Sequence, residues 1–244
     1  MIYTSTDPKL QGEIAPGPAD APVGAIVSVD TLRENRVPPR QARTKKWPVL
    51  DAGGPPKQLD LKVWRFSLGG LVEEPVEWTW AEFRKLPRVK VFADMHCVTR
   101  WSRLGNVWEG VSTREVMRHV TLRPEAKFAL VDAYDKGFTH RGRDLDWSTN
   151  LPIEAFLGED CLFADTHDGA PISSEHGGPL RLVVPRLYAW KSAKWVKSVE
   201  FAAEDRPGFW ERGGYHMLGD PWREQRYQFE DAEEEDEEGD APGI

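Results

Sequence analysis

Prolines and glycines interrupt the chain so often that regular structure is confined to short segments. Val37-Pro38-Pro39 and Gly53-Gly54-Pro55-Pro56 prevent a regular helix or strand between about residues 37 and 57, because proline lacks an amide donor and fixes its own φ. Short strands and short helices joined by irregular connections are typical of a mixed α+β domain. The 244 residues, 40% of them hydrophobic, are sufficient to form the core of such a domain.

Local patterns predict six strands and three short helices. The strands are residues 61–68, 89–93, 127–133, 161–165, 180–184 and 197–201, from alternation or from runs of apolar residues. Two Ser/Thr-x-x-Glu capping boxes predict helices over residues 79–86 and 112–120. A third helix is predicted over residues 151–157. Mixed sheets with short helices are therefore the expected architecture.

Composition and charge divide the chain into three parts. Residues 1–36 are rich in Pro, Gly and Ala and are predicted to form a loose N-terminal arm, whereas residues 37–229 form the folded domain. Residues 230–244 contain nine acids and no bases, which predicts a disordered, solubilising tail, with a partner-binding role as the alternative. The formal net charge of −8 belongs to this tail, because residues 1–229 are nearly neutral.

What the sequence lacks excludes several classes of protein. No run of about 20 apolar residues is present, so no membrane span is predicted. The first twelve residues carry no export signal and two cysteines form no disulfide framework, which together predict a cytoplasmic protein. Nucleic acid is not an expected partner, because the bases accompany no recognised binding motif. A glycine-rich dinucleotide motif and a P-loop are also missing.

Two segments of the nearly neutral domain are locally basic. Five bases and no acid lie between residues 181 and 197, and four bases surround Cys97 with Asp94 as their counterweight. The members are Arg181, Arg186, Lys191, Lys194 and Lys197 in the first segment, and Arg88, Lys90, Arg100 and Arg103 in the second. Local excess of one sign predicts an anion site. A solvated surface patch is the alternative that composition leaves open.

Cys97 follows the predicted strand 89–93 and stands beside Arg100 and Arg103. Neighbouring positive charge lowers the pKa of a thiol, and the thiolate is both the nucleophilic and the metal-binding form. A thiolate suits a soft or high-valent metal better than magnesium or calcium. From the local sequence alone, a buried structural cysteine is the competing interpretation for Cys97, and the preferred one for Cys161.

A second candidate segment contains Gly177 and Gly178, which would let the backbone approach a ligand closely. Arg181 follows within reach of such a ligand. Residues 188–195 then alternate aromatic side chains with small residues and lysines, a pattern that suits a flat heterocycle carrying a phosphate. The alternative is a Gly-Pro turn before a core strand.

Taken together, these segments resemble the molybdopterin-binding domain of the sulfite oxidase family, in particular its short cytosolic bacterial oxidoreductases. The resemblance covers residues 37–227 and several long motifs in the family's order. The motifs are Trp47-Pro48-Val49-Leu50, His96-Cys97-Val98-Thr99-Arg100-Trp101-Ser102, His176-Gly177-Gly178-Pro179-Leu180-Arg181, Tyr188-Ala189-Trp190-Lys191-Ser192-Ala193-Lys194-Trp195 and Asp205-Arg206-Pro207-Gly208-Phe209-Trp210-Glu211.

The resemblance implies a molybdenum–molybdopterin cofactor, with Cys97 as the metal ligand beside the pterin dithiolene. It assigns cofactor binding to His176, Arg181, Ser192, Ala193 and Lys194, and Lys194 would face the terminal phosphate. The implied reaction is two-electron oxygen-atom transfer to or from a small oxyanion, S-oxide or N-oxide. A separate electron-transfer protein or small carrier is the expected redox partner, because no haem or flavin motif is recognisable.

Further site candidates follow from position beside these motifs. His96, Arg100 and Arg103 are candidates for the catalytic pocket wall. Asn35 and Arg36 stand where the family has a substrate-binding arginine segment with a different charge pattern, and they are candidate cofactor-binding residues. Two other functions remain open at this point. One is an inactive anion- or pterin-binding domain of the same fold, and the other is a thiol-dependent enzyme using Cys97 with His96 or His176.

Overall fold

The computed structural model describes residues 13–51, 53–56, 59–134, 139–140, 143–144 and 147–229, and this part contains fourteen strands and four short α-helices. The strands are β1 Ile26–Val27, β2 Ala42–Arg43, β3 Arg65–Gly70, β4 Val76–Thr79, β5 Val89–His96, β6 Trp101–Ser112, β7 Phe128–Ala133, β8 Thr139–His140, β9 Arg143–Asp144, β10 Ser148–Pro152, β11 Leu162–His167, β12 Ala170–Pro171, β13 Arg181–Val183 and β14 Val196–Ala202. The helices are α1 Trp80–Phe83, α2 Thr113–Met117, α3 Ile153–Phe156 and α4 Phe209–Arg212.

Two mixed sheets form the body. The first has the order β1-β5-β6-β11-β12, with β13 also paired to β11 and β2 to β6. The second has the order β10-β7-β14-β3-β4, in which β14 runs parallel to β3 and antiparallel to β7. The predicted α+β class with mixed sheets and short helices is confirmed.

The main core lies between the two sheets. Phe66 of β3 and Val199 of β14 pack with Phe163 of β11 and Leu182 of β13, and all four are buried. Burying a side chain of this size stabilises the fold by about 1.5–3 kcal/mol. A second cluster on the opposite face of the first sheet includes Met95, with Trp47 and Trp101 packed against it. That face carries the candidate site.

The capping boxes start helices that are shorter than predicted. Thr79 and Glu82 form both reciprocal bonds at the N-terminus of α1, while the Ser112 hydroxyl accepts from the Glu115 amide at α2. These helices end at Phe83 and Met117, so a good N-cap sets where a helix begins but not how far it continues.

Strand β6 was not predicted from the sequence, because polar residues and glycines obscure its alternation. Asn106 is fully buried, and its amide donates to the carbonyls of Ala93 and Arg103. A Cβ on Gly110 would lie 2.0 Å from the Phe163 carbonyl oxygen, so only glycine fits beside β11 there. Strand β6 forms the hairpin with β5 that carries Cys97.

The predicted loose N-terminal arm is partly wrong. Ile26–Val27 pairs in parallel with β5, Thr31 is buried, and the Ser28 hydroxyl donates to the Asp160 carboxylate at 2.5 Å. Residues 26–31 therefore belong to the body, because β5 would otherwise expose an unpaired edge. The acidic tail 230–244 and the first twelve residues lie outside the described residues. None of the described helices is long and apolar enough to cross a membrane.

Candidate active site

A cavity of about 240 Å³ lies where the β5–β6 hairpin meets the segments around His176, Lys194 and Tyr215. Cys97 lines it together with five predicted cofactor-binding residues: His176, Arg181, Ser192, Ala193 and Lys194. Residues up to 97 positions apart in sequence thus line one cavity. Aromatic side chains supply much of the remaining lining: Trp47, Trp101, Trp147, Trp190, Trp195, Trp210 and Tyr215.

Cys97 begins a tight turn between β5 and β6. The Arg100 amide donates to the Cys97 carbonyl at 2.9 Å, and Arg100 has a φ of 69°, which closes residues 97–100 (the cysteine turn). Met95 and Cys97 both line the cavity, whereas His96 between them does not. Alternation of side chains along a strand accounts for this arrangement.

The environment of the thiol differs from the predicted one. Burial raises the pKa of the Cys97 thiol, and the Thr99 hydroxyl, whose oxygen lies 3.2 Å from Sγ, opposes this effect. Arg226 also lowers that pKa; the sequence had suggested the nearby Arg100 and Arg103 for this role. A buried thiol that ionises reluctantly in the free protein is compatible with a metal ligand, because bound metal itself favours the thiolate.

Arg181 is the most unusual charge in the site. It is 2% exposed, and its Nη atoms donate only to main-chain carbonyls, those of His176 at 2.6 Å and Ser192 at 3.1 Å. Its Nε has no hydrogen-bond partner, and no carboxylate within the described ranges pairs with the guanidinium. Burial lowers the pKa of Arg181 to about 9, so the guanidinium is still charged at neutral pH.

His176 and Lys194 contact residues 47–51 (the strap), which border the cavity. His176 Nε2 lies 3.0 Å from the Trp47 carbonyl oxygen, and the two rings stack at 3.8 Å. Lys194 Nζ donates to the Leu50 carbonyl at 3.0 Å and lies 3.6 Å from the Asp51 carboxylate. Burial and the nearby Arg181 lower the pKa of Lys194 to about 8, and burial lowers that of His176.

Gly177 and Gly178 have a different role from the predicted one. Gly177 has a φ of 103°, and a Cβ there would lie 2.8 Å from Lys194 Cβ. A Cβ on Gly178 would lie 2.1 Å from the Ile172 carbonyl oxygen. The close approach is therefore between protein segments, which brings Lys194 Nζ to 2.8 Å from the Glu175 carbonyl beside His176.

Five predicted site residues do not line the cavity, which argues against their expected roles. His96 is 1% exposed on the other face of β5, its Nδ1 is 2.9 Å from the Ser102 hydroxyl, and burial lowers its pKa to about 3. Arg103 pairs with Asp168 at 2.5 Å. Arg36 pairs with the buried Asp94. The backbone amide of Arg100 closes the cysteine turn. The side-chain oxygen of Asn35 accepts a hydrogen bond from the Val37 amide.

Several lining residues were missed because no local motif marks them. Tyr215 packs against the cluster of Cys97 and Val98, and burial raises its pKa. Trp210 belongs to the last motif of the resemblance, but its sequence position gave no sign that it faces Cys97. Within the described residues, no group of three or more His, Cys, Asp and Glu side chains converges to hold a metal ion.

Comparison with known proteins identifies the family. Residues 52–210 match the oxidoreductase molybdopterin-binding domain. The oxidoreductase YuiH of Bacillus subtilis (strain 168), described as uncharacterized, is 42% identical over 198 residues, covering 81% of this chain and 95% of that protein. The protein-methionine-sulfoxide reductase catalytic subunit MsrP of Xanthomonas axonopodis pv. citri is 29% identical over 151 residues, 59% of this chain and 47% of its own length.

A solved structure shares the fold. The sulfane dehydrogenase SoxCD from Paracoccus pantotrophus superposes with a TM-score of 0.52 at 21% identity, over 61% of this chain and 40% of that one.

The family match and the relatives define an oxidoreductase that uses a pterin-bound molybdenum. The chain belongs to the oxidoreductase molybdopterin-binding domain family, and the predicted resemblance to the sulfite oxidase type is confirmed. The family also confirms the predicted cofactor and the enzymatic class. The role of each site residue stays a prediction.

Proposed function

We propose that this enzyme transfers an oxygen atom to or from a neutral S-oxide or N-oxide at a molybdenum held by Cys97. The observation that carries the cofactor site is the buried Arg181, which shares a cavity with the Cys97 thiol and has no carboxylate partner among the described residues. A buried cation without a counter-ion is costly unless an anion binds it. Molybdopterin supplies such an anion through its phosphate.

The donor set fits the cofactor. The sulfur of Cys97 is a soft ligand, suited to molybdenum. Arg181 and Lys194 are charged donors for an anionic group, and the imidazole of His176 offers a hydrogen bond near the same end. When bound, the molybdopterin-held metal supplies two-electron oxygen-atom transfer; the protein binds, orients and shields the reacting groups.

Charge distribution in the cavity favours a neutral substrate. The cations that line it are Arg181, Lys194 and, when protonated, His176, which are the proposed cofactor contacts. Around Cys97 the described lining is instead apolar and aromatic, with Val98, Trp190 and Tyr215 in one cluster. An oxyanion such as sulfite would lose hydration there without gaining a counter-ion, whereas an S-oxide would bury its alkyl groups favourably.

For an S-oxide the reaction balances as a reduction. The sulfur–oxygen bond breaks, the oxygen leaves as water after taking up two protons, and two electrons reduce the sulfoxide to a thioether. A separate electron-transfer protein or small carrier supplies those electrons. The methionine-sulfoxide reductase among the relatives has the same substrate class in its name. A cytoplasmic location stays a prediction.

The test uses full-length protein from a host that makes the pterin. We expect molybdenum near one atom per chain, and reduction of dimethyl sulfoxide or trimethylamine N-oxide by a viologen dye that exceeds sulfite oxidation in kcat/KM. Cys97→Ser should lose metal and turnover, whereas Cys161→Ala, the matched control outside the cavity, should keep both. Metal-free wild-type protein would reject the function, and faster turnover of sulfite would reject the substrate class.

A further inference from the structure

Two side chains that are far apart in the sequence donate hydrogen bonds to main-chain carbonyls of the cysteine turn. Arg226 Nη1 donates to the Val98 carbonyl at 2.7 Å, and Gln41 Nε2 donates to the Cys97 carbonyl at 3.0 Å. Both side chains are buried, with Arg226 1% and Gln41 3% exposed. Both residues lie outside the matched family range of residues 52–210.

The guanidinium of Arg226 is fixed on several sides. It lies 5.0 Å from the centroid of the Tyr188 ring, and Nη2 is 3.4 Å from the Pro39 carbonyl oxygen. The Glu224 carboxylate is 3.7 Å from Nη2 and also accepts from Arg40 at 2.5 Å. A planar guanidinium with contacts on its face and edges has one accessible orientation.

This orientation constrains the cysteine turn. The Val98 carbonyl can point toward Arg226 only while the turn keeps its present conformation, in which Cys97 lines the cavity. Arg226 itself does not line the cavity, so it holds the turn without occupying the cofactor site. Its positive charge is near enough to act on the Cys97 sulfur, while Arg181 and Lys194 line the cavity itself.

We propose that Arg226 is a positioning residue for Cys97, which keeps the sulfur directed into the cavity by holding the Val98 carbonyl, and that Gln41 does the same at the adjacent carbonyl. The proposal rests on the proposed role of Cys97 as the metal ligand. A charge-assisted hydrogen bond to a buried carbonyl is strong enough to fix a four-residue turn.

The first test needs no cofactor. Full-length protein from a host that cannot make the pterin is treated with iodoacetamide over a range of pH, and alkylation of Cys97 and Cys161 is followed by mass spectrometry. Each rate is divided by the thiolate fraction at that pH, because loss of the Arg226 charge by itself changes the pKa of Cys97. We expect Arg226→Met to accelerate alkylation of Cys97 about tenfold by loosening the turn, without accelerating that of Cys161. Arg226→Lys, which keeps one charged donor, should restore most of the protection, and Gln41→Leu should loosen the turn to a smaller extent.

The second test uses the loaded enzyme. Per molybdenum bound, Arg226→Met should change the Mo(V) paramagnetic resonance spectrum and lower the reduction potential, because sulfur orientation and a nearby charge both affect the metal. Arg223→Met, an exposed arginine three residues earlier, is the matched control and should match the wild type. Molybdenum-free wild-type protein would reject the proposed function without touching the alkylation result.

Three outcomes would overturn the positioning role. The first is equal acceleration at Cys97 and Cys161, which indicates general destabilisation. The second is unchanged Cys97 alkylation in a folded Arg226→Met protein. The third is an unchanged spectrum and potential in that variant. If Arg226→Met does not fold, the same comparisons are made with Gln41→Leu and Arg226→Lys, and wild-type values in both would equally reject the proposal.

Discussion

The guanidinium carbon of Arg181 lies 5.3 Å from the centroid of the Trp47 ring. It is 5.6 Å from the Trp108 ring as well, so the unpaired cation is enclosed by aromatic faces. Cation–π contact recovers about 0.5–2 kcal/mol for such a cation. This gain is smaller than the free-energy cost of burying the charge. Part of the desolvation cost of Arg181 therefore stays uncompensated until an anion binds next to it.

Arg181→Met should therefore raise the stability of the cofactor-free protein and abolish cofactor binding. Burial removes the hydration of the guanidinium, and its two carbonyl contacts and the cation–π contacts recover only part of that loss. The cofactor-free variant should therefore gain unfolding free energy, on the order of 1 kcal/mol. Urea unfolding measures this, and molybdenum content should fall to background. Arg186→Met is the control of opposite sign, because it removes the ion pair of the buried Asp160. A lower unfolding free energy in Arg181→Met would show that the buried guanidinium does not destabilise the cofactor-free protein.

His96 predicts acid sensitivity. Burial lowers its folded-state pKa to about 3 from an ordinary value of 6.5, so the unfolded chain binds more protons between these values. Stability should therefore be lost as the pH falls from about 6.5 toward 3, by on the order of 2 kcal/mol between pH 7 and pH 5. Urea unfolding at the two pH values should show a shallower dependence in His96→Asn, while the exposed His119→Asn should retain the wild-type difference.

Lys191 and Glu211 form an ion pair of 2.7 Å in which both side chains are fully buried. The Glu211 carboxylate also accepts from the indole of Trp190, which lines the cavity. Lys191→Met should cost about 3–5 kcal/mol, because it leaves the carboxylate buried without its counter-ion. Adding Glu211→Gln should recover part of that loss in the same unfolding measurement. Additive losses in the double variant would show that the pair is not coupled.

Thr99 offers a test of substrate charge, because it is exposed and lines the cavity two residues after Cys97. Thr99→Arg should raise kcat/KM for sulfite about 3–10-fold at low salt by attracting the anion, and added salt should abolish the gain. Thr99→Val, which removes the hydroxyl bonded to Sγ without adding charge, is the control. A gain that persists at high salt would mean that the effect is not electrostatic.

The sequence predicted the site residues that belong to contiguous motifs. The motifs of Cys97, His176, Arg181 and Lys194 predicted residues that the fold brings to one cavity, although they come from separate strands and turns. Proximity to Cys97 in the sequence was misleading for His96 and Arg103. His96 points to the other face of β5, because side chains alternate along a strand, and Arg103 forms an ion pair with the nearby Asp168. Gln41, Tyr215 and Arg226 could not be assigned, since only long-range packing brings them to Cys97.

The hydrogen bonds from Gln41 and Arg226 to the cysteine turn bear on how much of the chain is needed to form the metal site. A polypeptide reduced to residues 52–210 would keep Cys97, His176, Arg181 and Lys194, yet it would lose both Gln41 and Arg226. The range matched by the family model is therefore shorter than the segment that our proposal requires for holding Cys97 in place. On that proposal, substitutions near residues 41 and 226 should affect metal binding although they lie outside the matched range.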